Sequence, residues 1–126
     1  MRRVAVRAAA PAALARYKVE AFSGSVAEFK AKIGDGPAVV DFYTDWCGPC
    51  KAFAPKFDSL SNSKEFSGVK FLKVNVEESE ELGGAFDIRS IPTFVGLKNG
   101  KVVGKPVEGA SENSVKALLS ALVKEA

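Results

Sequence analysis

Apolar residues along this chain switch repeatedly between helical and strand periods, and each switch marks an element. Residues 17–22 read as a short first strand. Behind Ser25, a helix-capping residue, Val26, Phe29 and Ile33 fall at helical spacing, and Gly34-Asp35-Gly36-Pro37 ends that helix. Ala38–Tyr43 is a nearly continuous apolar, β-branched and aromatic run, the pattern of a strand covered on both faces. A second helix opens around residues 47–49 and runs to about residue 61, with Cys50, Phe53, Phe57 and Leu60 on its inner face. Pro55 lies inside that pattern and predicts a kink, because it removes a backbone donor. Residues 69–76 form a third strand and residues 78–86 an acidic helical segment. Residues 93–98 and 101–107 flank Asn99-Gly100, a strong two-residue hairpin signal. Gly109 then precedes a last helix, capped by Ser111, with Val115, Leu118, Leu119 and Leu122 facing inward. The order β-α-β-α-β-α-β-β-α places the chain in the α/β class, with a central mixed five-stranded sheet flanked on both faces by four helices.

At 126 residues and 47% hydrophobic, the chain is one domain's worth of sequence and long enough to bury a core. Its net charge of +3 is unevenly spread: residues 1–16 hold four arginines and no acid, leaving 14 Lys/Arg against 15 Asp/Glu in residues 17–126. The pI near 8.9 therefore comes from the N-terminal stretch, and the folded part has no positive excess to suggest a nucleic-acid partner. Two parts follow: residues 1–16 as a targeting extension and residues 17–126 as the domain. Arginine-rich, alanine-rich and acid-free is the composition of a mitochondrial transit peptide, although serine is missing. Ala13-Leu14-Ala15 fits a secretory cleavage site, but Arg7 interrupts the apolar run before it; a cytoplasmic protein with a disordered or locally docked tail is the remaining reading. No stretch approaches the length of a membrane span, so no membrane insertion is expected.

The only two cysteines stand three residues apart, in Trp46-Cys47-Gly48-Pro49-Cys50-Lys51, and the chain has no histidine. A zinc site normally needs four ligands, so no metal is expected here, nor any cofactor. A purely structural disulfide across so short a loop would remove little unfolded-state entropy. Redox chemistry fits better. The attacking species in thiol–disulfide exchange is a thiolate, and Cys47 falls at a helix start, where unpaired N–H groups and the positive dipole end favour an anion. Pro49 suits the first turn, where its missing donor is no loss. Cys50 sits one turn on and faces the core. Cys47 is thus expected as an exposed nucleophile and Cys50 as a buried resolving thiol.

Two further groups attract attention. Asp41 lies in the middle of the most hydrophobic strand, and Lys73 shares parity with Val69 and Phe71 in the next, so each is a charge where the pattern asks for an apolar residue. A buried carboxylate needs a partner or a function. Either Asp41 exchanges the proton of Cys50, with Lys73 tuning it, or the two form an ion pair that serves fold specificity. In Ser90-Ile91-Pro92-Thr93, proline directly before a strand is a turn residue, and its peptide bond is one that can be cis.

Taken together these residues resemble the thioredoxin family. Trp46-Cys47-Gly48-Pro49-Cys50-Lys51 matches the family's active site, Asp41 its buried aspartate, Lys73 the lysine beside it, Ile91-Pro92-Thr93 its cis-proline loop, Asn99-Gly100 its last hairpin and Gly109 a glycine bordering the substrate groove. The resemblance spans residues 17–126. It implies the thioredoxin fold and a protein-disulfide reductase that acts on disulfide-containing target proteins, is recharged by a thioredoxin reductase, and works as a monomer. It further implies that the backbone of Ile91 binds an extended substrate segment, with Trp46, Pro92 and Gly109 forming a shallow apolar contact surface. Oxidising relatives usually carry a histidine next to the second cysteine, which is absent here, so reduction is the expected direction. Two competing functions remain at this stage: a subunit of a larger assembly with a mainly structural or interaction role, and an oxidase or isomerase. The sequence departs from the family's pattern at Tyr43, where many members have tryptophan. It also departs between Gly100 and Gly109, where one extra residue, with Gly104 and Pro106, predicts a bulge or irregular edge.

Overall fold

A computed structural model describes residues 18–125. Its elements in chain order are β1 (Val19–Phe22), α1 (Val26–Ile33), β2 (Ala38–Tyr43), α2 (Gly48–Ser61), a 3-10 turn (Lys64–Phe66), β3 (Lys70–Asn75), α3 (Glu80–Ala85), β4 (Thr93–Lys98), β5 (Lys101–Glu108) and α4 (Glu112–Glu125). The expected elements are all present, each within two residues of the expected bounds; Tyr17, the expected start of β1, and the extension 1–16 lie outside the described residues. The start of α3 is trimmed to Glu80 because Glu78 and Ser79 donate their N–H groups to the Asn75 carbonyl in a preceding turn. Pro55 lies within α2, which continues past it to Ser61.

Local chemistry sets these bounds. Ser25 and Glu28 form a reciprocal capping box, the serine hydroxyl accepting from Glu28 N–H and the Glu28 carboxylate from Ser25 N–H. Asn99 and Gly100 both take positive φ, at 55° and 75°, as a tight hairpin turn between right-twisted strands requires. Ser111 Oγ accepts from Ser114 N–H and starts α4.

The strands run in the order β1-β3-β2-β4-β5, parallel across the first three and antiparallel thereafter. β2 lies at the centre, and five of its six residues are buried. On one face, α1 and α3 cover Ala38, Val40, Phe42, Leu72, Val74, Val95 and Leu97. On the other, α2 and α4 cover Val39, Phe71 and Phe94 with Phe53, Phe57, Leu118, Leu119 and Leu122. α4 approaches β4 closely at Gly96, where a Cβ would stand 2.9 Å from Leu118 Cδ1. The expected irregularity in the last strand is present: from Phe94↔Val107 to Gly96↔Val103, two steps along β4 are matched by four along β5. Gly104, with φ 69°, sits inside that bulge.

Candidate active site

Three segments meet at the C-terminal end of β2: the turn into α2, the end of β3, and the loop into β4. The cysteine pair lies in the first. Cys47 is the N-cap of α2, and Pro49 occupies its first turn. Cys47 and Cys50 are joined as a disulfide, with Cα atoms 5.3 Å apart. The Cys47 sulfur accepts the Cys50 N–H at 3.1 Å, so one of the helix's unpaired donors points at it. The two residues are 4% and 5% exposed, which departs from the expected exposed and buried pair. Cys47 Sγ lies against the first helical turn, bonded to Cys50 Sγ and accepting the Cys50 N–H. Position distinguishes the cysteines instead: Cys47 caps the helix between the exposed Trp46 and Gly48, whereas Cys50 lines a cleft below.

That cleft, about 220 Å³, is walled by Asp41, Tyr43, Thr44, Asp45, Cys50, Lys51, Ala54 and Lys73. It brings Asp41 and Cys50 to one space, as expected. Asp41 is 6% exposed and its Oδ1 has no hydrogen-bond partner in the protein. Burial pushes its carboxyl up from an ordinary 3.8 to about 7, with the positive charge of Lys73 opposing part of that rise. Lys73 stands directly opposite Asp41 in the parallel register. Its side chain is nonetheless exposed, and among the described residues the two form no direct ion pair. The ammonium lies over the Tyr43 ring, 5.6 Å from its centroid, where it keeps its hydration and gains the ring's negative face. Burial raises the Tyr43 phenol above its ordinary value, and the negative charges of Asp45, Glu78 and Asp41 add to the effect.

Trp46 is 68% exposed, and its indole N–H donates to Glu77 Oε2 at 2.9 Å. The Ile91–Pro92 peptide is cis, Pro92 is buried, and its carbonyl accepts the Gly109 N–H at 2.8 Å. Gly109 has φ 98°, a conformation that disfavours any side chain. A shallow groove lined by Pro49, Ala52, Phe53, Lys56 and Ala110 joins the first turn of α2 to the residue after Gly109. Gly48 and Pro49 are exposed beside it, and Ile91 is half-buried. Two residues escaped the reading of the sequence. Thr44 is a buried hydroxyl in the cleft, and only its adjacency to the β2 run hinted at it. Glu77 sits in an acidic run that reads as solvated surface.

A redox-capable cysteine pair at a helix start, above a buried carboxylate and beside a cis-proline loop, is accompanied by similarity along the chain. The thioredoxin family model matches residues 19–121. The chain belongs to the thioredoxin family. It is 41% identical over 97 residues to the thioredoxin Asp f 29 of Aspergillus fumigatus, covering 75% of this chain and 87% of that one. It is 37% identical over 130 residues to the chloroplastic F-type thioredoxin of Spinacia oleracea, covering 96% of this chain and 67% of that one. Among solved structures, mitochondrial thioredoxin 3 of Saccharomyces cerevisiae in its oxidised form superposes with a TM-score of 0.75 at 28% identity, over 86% of this chain and 99% of that one. This thioredoxin-family chain is a thiol–disulfide oxidoreductase of the protein-disulfide reductase class.

Proposed function

We propose that the protein works as a monomeric reductase of disulfides in other proteins, with Cys47 as nucleophile, Cys50 as resolving thiol and Asp41 as proton acceptor. The observation that carries this reading is the Cys47–Cys50 disulfide at the start of α2, with Cys50 facing the Asp41 cleft. In the reduced form, Cys47 thiolate attacks a target disulfide and releases one target sulfur as a thiolate. Cys50 then loses its proton and attacks Cys47 Sγ; the Cys47–Cys50 bond forms, and the second target sulfur leaves with the electron pair. The target gains two electrons and the cysteine pair loses two. A carboxyl with pKa about 7 is suited to take up and return that proton at neutral pH. Lys73, opposite Asp41, tunes it through its charge. Gly48 and Pro49, both exposed, are the residues a partner meets beside Cys47.

Target docking is assigned to the exposed Trp46, the Ile91 backbone as an added strand edge, and Pro92 with Gly109. A thioredoxin reductase is the electron donor that returns the disulfide to the dithiol. The arginine-rich, acid-free N-terminal stretch supports a mitochondrial address. Fluorescent fusions with and without residues 1–16 check it: loss of mitochondrial signal on deletion is expected, and plastid or secretory signal in the full chain overturns it.

The function is tested by insulin reduction with dithiothreitol. Cys47→Ser abolishes turnover, and Cys50→Ser accumulates covalent mixed disulfides with targets. Normal turnover by Cys47→Ser overturns the assignment.

A further inference from the structure

Thr44 is a buried polar residue that this mechanism leaves unused. It directly follows β2, is 2% exposed, and its Oγ1 has no hydrogen-bond partner in the protein. Among the described residues, Asp41 Oδ1 is the other buried side-chain atom in that condition. Both residues line one cleft, and Cys50 lines it too. The Thr44 carbonyl accepts the Cys47 N–H at 3.4 Å, which ties this residue's backbone to the redox turn.

Valine has nearly the volume of threonine, without a hydroxyl to desolvate. A lone hydroxyl here is therefore unfavourable unless something pairs with it. Threonine can donate and accept at once, whereas an ionised carboxylate only accepts. A cleft of about 220 Å³, into which Asp41, Thr44, Asp45 and Lys51 all bring polar groups, has room for solvent beside both Asp41 and Thr44. A solvent molecule held by one carboxylate oxygen alone is poorly oriented; a second polar contact fixes it.

We propose that Thr44 is a positioning residue in the proton path of the resolving step: its hydroxyl, with Asp41 Oδ1, holds the solvent molecule that takes the proton of Cys50. This rests on the reading of Asp41 as proton acceptor. As the Cys50 S–H bond breaks, its proton passes to that molecule, which gives a proton to the carboxylate. The Cys50 sulfur forms its bond to Cys47 Sγ, and the Cys47–target bond breaks with its electron pair on the departing sulfur. The charged and titratable groups around the path are Asp41 and Tyr43 on β2, Asp45 in the turn, Cys50 and Lys51 on α2, and Lys73 on β3.

The test is rapid-quench measurement of mixed-disulfide resolution in the full chain across pH. Thr44→Val is expected to slow resolution about tenfold at neutral pH and to shift its pH profile. The first attack by Cys47, measured in a Cys50→Ala background, changes less than about twofold, because Cys50's proton is not involved in it. Thr44→Ser restores resolution to within about twofold, since it keeps the hydroxyl. Wild-type kinetics and pH profile in Thr44→Val overturn the proposal, as does a Thr44→Ser variant as slow as Thr44→Val, which points to packing. Asp41→Asn run in parallel separates the two assignments. If it resolves at the wild-type rate, the Asp41 reading itself fails. If it is slow while Thr44→Val is normal, only Thr44 is wrongly placed. Should Thr44→Val not fold, a high-resolution crystal structure of the wild type decides: solvent bonded to both Thr44 Oγ1 and Asp41 Oδ1 supports the path, and none there overturns it.

Discussion

The two faces of one sheet have been built to different specifications. Towards α1 and α3, the central strands show Val40, Phe42, Leu72 and Val74, apolar up to the strand ends, and Phe22, Phe29 and Phe86, stacked edge-to-face on one another, join that cluster. Towards α2 and α4, the same strands begin apolar, with Val39 and Phe71, and one pleat later turn to Asp41 and Lys73. The first face is sealed; the second opens into the cleft under the disulfide. Chemistry has been placed where the core is interrupted, because a carboxyl acquires a useful proton affinity only where water is scarce but not absent. The sealed face supplies stability that the interrupted one forgoes.

Breaking the sealed face should therefore be the most damaging change to stability and the least informative about catalysis. Phe29 is fully buried, with its ring 5.4 Å from that of Phe22 and 5.7 Å from that of Phe86. Phe29→Ala is expected to cost about 3–5 kcal/mol in denaturant unfolding. Mixed-disulfide kinetics well below the transition should stay unchanged; a selective loss of the resolving step would show that the two faces are not separable.

The interrupted face should behave in the opposite way. Asp41 is easier to keep folded when protonated, so its contribution is fully present below its ordinary 3.8 and is lost as pH rises to about 7. That shift of roughly three units corresponds to about 4 kcal/mol. Asp41→Asn should remove this slope, so the variant gains stability over the wild type as pH rises from about 4 to 7, while reduction of targets slows. Parallel stability–pH curves for the two proteins would sink the idea that Asp41 is the misfit of this face.

The smallest effect is expected at the rim. Glu77 holds the Trp46 indole from outside the cleft, with both groups exposed. Glu77→Gln should raise KM for a protein disulfide about twofold with kcat unchanged, and alter indole fluorescence, since a solvated charge-assisted bond is worth little. A fall in kcat would mean that Glu77 reaches the reacting sulfurs.

Much of this organisation could be read along the chain. Element order, the capping box at Ser25, the hairpin at Asn99-Gly100 and the inner faces of α2 and α4 follow from periodicity and turn chemistry, which are local properties. The irregular β5 was legible for the same reason, through Gly104 and Pro106. The cysteine spacing and its helix-start position declared the reaction, because both are fixed within four residues. Tertiary structure decided what depends on neighbours distant in sequence. Lys73 was legible as Asp41's partner in register, but which way a long, flexible side chain turns depends on the Tyr43 ring and on the hydration of its charge. Whether Cys47 is exposed depends on how the closed disulfide packs against the first turn of α2. The buried Thr44 hydroxyl and the Glu77–Trp46 bond arise where β2, β3 and α2 converge, and no periodicity encodes that meeting. The sequence by itself determined the fold and the thiol chemistry; the tertiary structure decided the environment around Asp41 and Cys50, because desolvation is set by everything packed around a group and not by its neighbours in the chain.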